Sequence, residues 1–337
     1  MIRIFLTHNP EDLDAYYGRT LAGLEALGEV RRNPAGRNLT TPELIDAAAG
    51  CEIIVSHRAT HGETALFENA PDLIAFLRCA IDIRDVDVDA APRAGVLVAN
   101  AGKSFIPSTA EIALALMLCL ARNVGESTRL YRDGEMPPQT MGAQMRGRTA
   151  GIIGYGAIGS YLADLLLALG MRVLVHDPFK KVDRAQIEQV GFQNLLAAAD
   201  VVLPLAPASA ETENLIDAAA LAAMKPTALL VNVSRGELMD EDAVATALGE
   251  GRIGGLAMDV GRAPDQRPSP ALASLPGVVS TPHLGGLTPE NADEQAASSV
   301  EQVRAILAGE MPPRTVNSQA AERLRAWWRK NGQGEGA

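Results

Sequence analysis

The segment Gly151-Ile-Ile-Gly154-Tyr155-Gly156-Ala157-Ile158-Gly159 limits the possible folds more than any other stretch of the chain. It completes an apolar run, Ala150–Ile153, and opens an apolar helical stretch, Ser160–Leu169. A strand, three glycines spaced G-x-G-x-x-G and a helix form the first turn of a βαβ unit. Gly154 permits the tight turn, Gly156 lets the backbone approach a pyrophosphate, and Gly159 allows the helix to pack closely on the strand. The helix N-terminus adds free N–H groups and a positive partial charge that suit phosphate.

The next apolar run, Met171–His176, reads as a second strand with Asp177 at its end. That places a carboxylate about 20 residues past the glycines, where ribose hydroxyls need an acceptor. A carboxylate there repels a 2′-phosphate, so the expected cofactor is NAD rather than NADP. Lys180 and Lys181 lie just beyond and soften that preference.

The chain has 337 residues, 47% of them apolar and 21% charged, enough for two globular cores at roughly 150 residues per domain. Strand candidates Ile2–Leu6, Glu52–Val55, Leu73–Leu77 and Val96–Val98 alternate with helical stretches in the first third. A second such series contains Val201–Leu203, Ala228–Val233, Gly255–Met258 and Val278–Ser280. Alternation of this kind predicts α/β architecture with parallel sheets. Between the two series, Pro107, Ser108 and Glu111 read as the start of a capped helix whose body, Ile112–Ala121, is apolar all round and expected to be buried. Residues Gly125 to Gly147 read as a polar connection with a short helix. Glu290–Leu307 reads as a helix returning to the first domain, and Asn331–Ala337 as a frayed tail.

A net charge of −11 argues against nucleic-acid or membrane partners, and no apolar run approaches the ~20 residues of a membrane span. Cys51, Cys79 and Cys119 form no CxxC pair, so neither a zinc-type metal site nor a disulfide framework is expected. A cytoplasmic protein acting on a small molecule fits this composition.

Reduction of a 2-oxo acid requires a cation for the carboxylate and an acid for the carbonyl oxygen. Among five histidines, His283 stands out in Ser280-Thr-Pro-His283-Leu-Gly-Gly286, just past a strand, where doubly wound sheets bind ligands. Arg235 follows another strand in Asn232-Val-Ser-Arg235-Gly236, and its planar fork suits a carboxylate. Asp259 ends the strand Leu256–Met258 and is suited to the nicotinamide carboxamide.

Together with Val86–Ala91 before Gly95–Val98, Thr109-Ala-Glu111, Met224-Lys-Pro226, Gly251–Gly255 and Met258-Asp-Val260, these motifs resemble the D-isomer-specific 2-hydroxyacid dehydrogenases from about Ile53 to Asn317. The resemblance implies two Rossmann-like, doubly wound parallel-sheet domains with a cleft between them. Residues 1–103 and 287–337 would form a discontinuous substrate domain, and residues 104–286 the NAD-binding domain. It implies an oxidoreductase using NAD and a small D-2-hydroxy or 2-oxo acid of the glyoxylate, hydroxypyruvate, glycerate or phosphoglycerate class. It also implies a homodimer joined through the cofactor domains. Arg235 would bind substrate, His283 would be the acid/base, and Asp259 and Pro207 would contact the cofactor with the glycine loop.

The chain departs from the family at three places. Pro264 stands where the family sets a glutamate to hold the histidine ring, and Asp265 beside it is expected to take over as a catalytic residue. In the substrate loop Cys79-Ala80-Ile81-Asp82-Ile83-Arg84, Asp82 replaces a glycine, to be paired with Arg84 or to bind substrate hydroxyls. Ala80 preserves a small residue, and the resemblance implies substrate contact for Ala80 and Ile81 and, as in members that carry arginines for phosphate, for Arg58. Leu205 stands where many members carry a histidine beside the cofactor. These changes motivate an alternative, an NAD(H)-sensing binding protein on the same scaffold with little turnover.

Overall fold

The computed structural model describes residues 1–333. Among the described residues, twelve strands form two wholly parallel sheets. The first contains β1 (Ile2–Leu6), β2 (Gly28–Arg32), β3 (Ile53–Ser56), β4 (Ala75–Arg78) and β5 (Leu97–Ala99) in the order β2-β1-β3-β4-β5. The second contains β6 (Thr149–Ile153), β7 (Arg172–His176), β8 (Ile187–Gln189), β9 (Val201–Pro204), β10 (Leu229–Asn232), β11 (Gly255–Met258) and β12 (Val278–Ser280). Its order is β12-β11-β10-β9-β6-β7-β8. Both sheets reverse direction beside their first strand, which makes them doubly wound. The chain divides into unit 1, Met1–Ser104 with the segment from Pro289 onward, and unit 2, Phe105–Thr288.

Two strands lack a signal in the sequence. β2 (Gly-Glu-Val-Arg-Arg) and β8 (Ile-Glu-Gln) are edge strands, where one side faces water and charged residues replace the apolar run. The long helix, α1 (Phe105–Ala121), begins ahead of Ser108, so the expected capping box is not formed. Pro107 is tolerated because N–H groups in a first turn need no partner. Ser108 Oγ instead lies 2.9 Å from Thr288 Oγ1. The helix after the glycine loop, α2 (Ala157–Ala168), starts directly at the loop with Gly156 as its N-cap.

In unit 2, apolar residues of α1 (Ala110, Ala113, Leu116, Met117) and α2 (Leu162, Ala163, Leu166) are buried in one core with β6, β7, β9 and β10. Among the described residues no single helix is long and apolar enough to cross a membrane. In unit 1, α3 (Pro289–Leu307) and α4 (Glu322–Lys330) bury Val303, Ile306, Leu324 and Trp328 in the core built on β1, β3 and β4. Each fully buried aliphatic contributes about 1.5–3 kcal/mol, so the early strands depend on these late helices. Trp328 Nε1 donates to the Ile306 carbonyl at 2.7 Å. Of the tail expected to fray, residues 334–337 lie outside the described residues.

Unit 1 also buries a polar cluster at the carboxyl ends of β1 and β3. The His8 ring is fully buried and stacks on Tyr17, with centroids 3.8 Å apart. His57 Nε2 lies 2.8 Å from the Tyr16 hydroxyl, while its Nδ1 accepts from the Ala59 N–H at 3.1 Å. Burial, with the charges of Arg58 and Arg78, lowers His57 to about 3, despite the Asp12 carboxylate 3.8 Å away. Burial and neighbouring His57 hold His8 well below the usual histidine range. Both rings are therefore neutral in the fold and take protons on unfolding. Their folded values lie below the unfolded value of about 6.5, so stability is intact above pH ~6.5 and falls as pH drops toward about 3. Urea-unfolding midpoints should fall across this window, and less steeply in His57→Gln, which separates the imidazole from titrating carboxylates. A His57→Gln slope equal to that of wild type would contradict this account.

Candidate active site

The glycine loop of unit 2 is shaped by contacts with its own sheet. Gly154 has φ +99°, and a Cβ there would meet the Ala206 nitrogen at 2.8 Å. Only glycine fits between the ends of β6 and β9. Gly156 and Ala157 are exposed at the start of α2, and the space a Cβ of Gly156 would occupy is open. Ile158 is half-buried and Tyr155 is buried. The Tyr155 N–H donates to Asp177 Oδ2 at 2.8 Å, tying the loop to the end of β7. Asp177 Oδ1 accepts from the N–H groups of Phe179 and Lys180, both at 2.9 Å. Burial would raise its pKa, but these three N–H groups and the Lys180 charge outweigh it, so Asp177 is held as a carboxylate. The Lys180 ammonium lies 5.1 Å from the Tyr155 ring centroid. Pro207, past β9, accepts from Thr212 Oγ1 at 2.6 Å, and Leu205 donates its N–H to Ile153.

Three further strand ends of the same sheet carry Arg235, Asp259 and His283. Asp259 has no exposed surface. Its Oδ1 accepts from Thr281 Oγ1 at 2.6 Å and the Leu284 N–H at 2.7 Å, and its Oδ2 from the Gly285 N–H at 2.7 Å. Its carbonyl accepts from the His283 N–H at 2.9 Å. Four bonds from one residue thus fix the backbone on both sides of His283, which sits at φ +62°. His283 Nδ1 lies 2.9 Å from the main-chain carbonyl oxygen of Asp265. The Asp265 carboxylate lies 3.7 Å from the Arg267 guanidinium.

Arg235 is half-buried, with Nη1 donating to the Ser234 carbonyl at 2.7 Å and its own carbonyl accepting from buried Asn232 at 2.8 Å. The next residue, Gly236, lies so close to Gly261 that a Cβ would run into the Gly261 backbone. The Arg235 turn and the loop following Asp259 are therefore locked together.

In unit 1, Arg58 and the run Ala80-Ile81-Asp82 lie at the carboxyl ends of β3 and β4, all half-buried. Asp82 is engaged by Arg84, whose Nε is 3.1 Å from both carboxylate oxygens and whose Nη2 is 2.9 Å from Oδ2. Arg78 escapes a reading of the sequence because an arginine closing an apolar strand reads as a solvated end. It is buried, and its guanidinium donates to the carbonyls of His57 at 3.1 Å, Thr60 at 2.5 Å, Asp82 at 3.1 Å, and Arg58. One side chain thus gathers the backbone of both loops.

Residues 114–285 match the D-isomer specific 2-hydroxyacid dehydrogenase, NAD binding domain. A glyoxylate reductase from Korarchaeum cryptofilum is 33% identical over 287 residues, covering 83% of this chain and 86% of that protein. The chain belongs to this family. Its unit 2 is accordingly an NAD-binding domain, and its parallel-sheet architecture is the family's. A D-3-phosphoglycerate dehydrogenase from Synechocystis is also 33% identical, over 300 residues and 87% of this chain, but the chain spans only 53% of that protein's length. Among solved structures, the TT0316 protein from Thermus thermophilus superposes with a TM-score of 0.85 at 30% identity, covering 94% of this chain and 100% of the other. D-lactate dehydrogenase from Escherichia coli does so with a TM-score of 0.81 at 26% identity over the same shares.

Arg78→Met should take a donor from four carbonyls, of which that of His57 keeps the Thr60 N–H, and destabilise unit 1 by roughly 3 kcal/mol. The drop in urea midpoint would measure it, and a change under about 0.5 kcal/mol, typical of surface substitutions, would show that Arg78 does not organise these loops.

Proposed function

We propose that this chain is an NAD-dependent oxidoreductase that interconverts a small D-2-hydroxy acid and its 2-oxo acid, of the glyoxylate, hydroxypyruvate, glycerate or phosphoglycerate class. The observation that carries the reading is the linkage of Arg235 and His283, through the Gly236–Gly261 contact and Asp259, at the carboxyl edge of an NAD-binding sheet. The residues present fit the dinucleotide: an open face at Gly156, a helix N-terminus and a carboxylate at Asp177 for the ribose. Asp259 and Pro207 are assigned to the nicotinamide end. Three of the roughly four acceptor sites of the Asp259 carboxylate hold the His283 loop, so its part at that end is to fix the loop that faces the ring. NADH bound there supplies the hydride.

The residues of this chain then do the rest. The Arg235 fork holds the substrate carboxylate and polarises the adjacent carbonyl. His283 gives its proton to the carbonyl oxygen in reduction and takes it back in oxidation. For unit 1 we assign substrate contact to Ala80, Ile81 and Asp82, with Arg58 for a distal phosphate. The Arg84 pairing lowers the repulsion an anionic substrate would meet at Asp82.

We further propose a homodimer joined through unit 2. The helix Val124–Arg132 buries none of its residues, and Val124, Tyr131, Met136 and Met141, all within residues 124–141, are exposed. A second copy would cover these apolar side chains. The three cysteines, all free, suit a reducing cytoplasm.

Purified protein should oxidise NADH with at least one acid among glyoxylate, hydroxypyruvate and a phosphorylated 2-oxo acid. His283→Gln should bind NADH as wild type does and turn over roughly 10²–10⁴-fold more slowly. NADH binding without turnover of any of the acids, or equal rates for variant and wild type, would overturn the reading. Asp177→Ser should shift the NADPH-to-NADH preference toward NADPH on the order of tenfold, read as the ratio of kcat/KM values.

A further inference from the structure

We infer that the main-chain carbonyl of Asp265 orients the ring of His283 and fixes its tautomer, making Asp265 a positioning residue through its backbone; the inference rests on the oxidoreductase reading for its catalytic consequence. The ring nitrogen Nδ1 lies 2.9 Å from that carbonyl oxygen. A carbonyl can only accept, so Nδ1 carries the hydrogen and donates it. Nε2 is then the atom that gains and loses the proton during turnover. A carboxylate partner would orient the ring and also favour its charged form. A carbonyl does the first with a dipole in place of a full charge.

The backbone around Asp265 is built to present this oxygen. Asp265 (φ 59°, ψ 27°) and Gln266 (φ 55°) are consecutive left-handed residues, a conformation costly for any residue with a Cβ and less so where aspartate bonds locally. The surrounding loop offsets that cost. The Gly261 N–H donates to the Gln266 carbonyl at 2.9 Å, and the Ala263 N–H to the Arg267 carbonyl at 3.0 Å. Arg262 anchors the outer side, reaching Glu213 at 2.8 Å, Asn214 at 2.6 Å and the Met239 carbonyl at 3.1 Å. On the inner side Gly261 lies against Gly236, beside Arg235. A strained pair held from both sides, with its carbonyl on a ring nitrogen, is an arrangement that persists when it has work to do.

The test reads the tautomer directly. In full-length protein with ¹⁵N-labelled histidine, held well above the histidine titration range, two-bond ¹H–¹⁵N spectra should show His283 protonated at Nδ1, its signals assigned by their loss in His283→Gln. Asp265→Pro forces φ to about −65° and moves the carbonyl. The Nδ1–H pattern should be lost, and kcat/KM should fall roughly 10²-fold with NADH affinity retained. Asp265→Gly removes the carboxylate but suits the left-handed backbone. It should restore the Nδ1–H pattern and most of the activity that Asp265→Pro loses. An Nε2–H tautomer in the wild type would overturn the inference, as would Asp265→Gly behaving like Asp265→Pro, since the carboxylate would then be the orienting group. The spectra need no turnover, so inactivity toward every 2-oxo acid would count against the oxidoreductase reading and leave the tautomer to be decided separately.

Discussion

Asp259 is the group on which the candidate active site depends. A carboxylate with no exposed surface is costly to bury unless its lone pairs are occupied. Here the donors come from three residues in the loop after β12, namely the Thr281 hydroxyl and the N–H groups of Leu284 and Gly285. The need to satisfy one buried charge dictates the path of that loop, and the path sets where His283 stands. Thr109 of α1 adds a longer bond, 3.3 Å, to the Gly285 carbonyl, so the loop is held from the helix as well.

Unit 1 uses the opposite charge for the same purpose. Arg78 collects carbonyl oxygens where Asp259 collects N–H groups, and each organises the carboxyl edge of its own sheet. Strand ends are where regular pairing stops and backbone groups lose their partners. A buried ion at that edge satisfies several of them together. Loops held this way need little regular structure of their own and remain open to side-chain variation, as the Asp82–Arg84 pair illustrates.

The strand ends carrying Arg235, Asp259 and His283 were legible in the sequence because each follows a short β-branched or apolar run. The glycine loop was legible because its spacing serves a local steric need, visible in the approach of Ala206 to Gly154. Edge strands β2 and β8 were not, since half-solvated strands lose the apolar pattern. The onset of α1 is masked by a serine whose hydroxyl finds a tertiary partner, Thr288, in place of a cap. Residue identities alone point to a side chain, that of Asp265, as the partner of His283. What meets its ring is a carbonyl, and a left-handed turn of two non-glycine residues leaves no mark that residue identities reveal.

The division of unit 1 into two stretches of chain has a consequence for biosynthesis. All of Phe105–Thr288 leaves the ribosome before Val303, Ile306, Leu324 and Trp328 do. Unit 2 holds its own cores and can fold as a unit while translation continues. The strands β1 to β5 must meanwhile wait, with Ile4, Leu6, Ile53 and Leu77 lacking the late helices that share their core. That interval exposes the kind of apolar sheet surface that chaperones engage. The nascent chain is thus most vulnerable to aggregation at β1 to β5, the strands made before their partner helices.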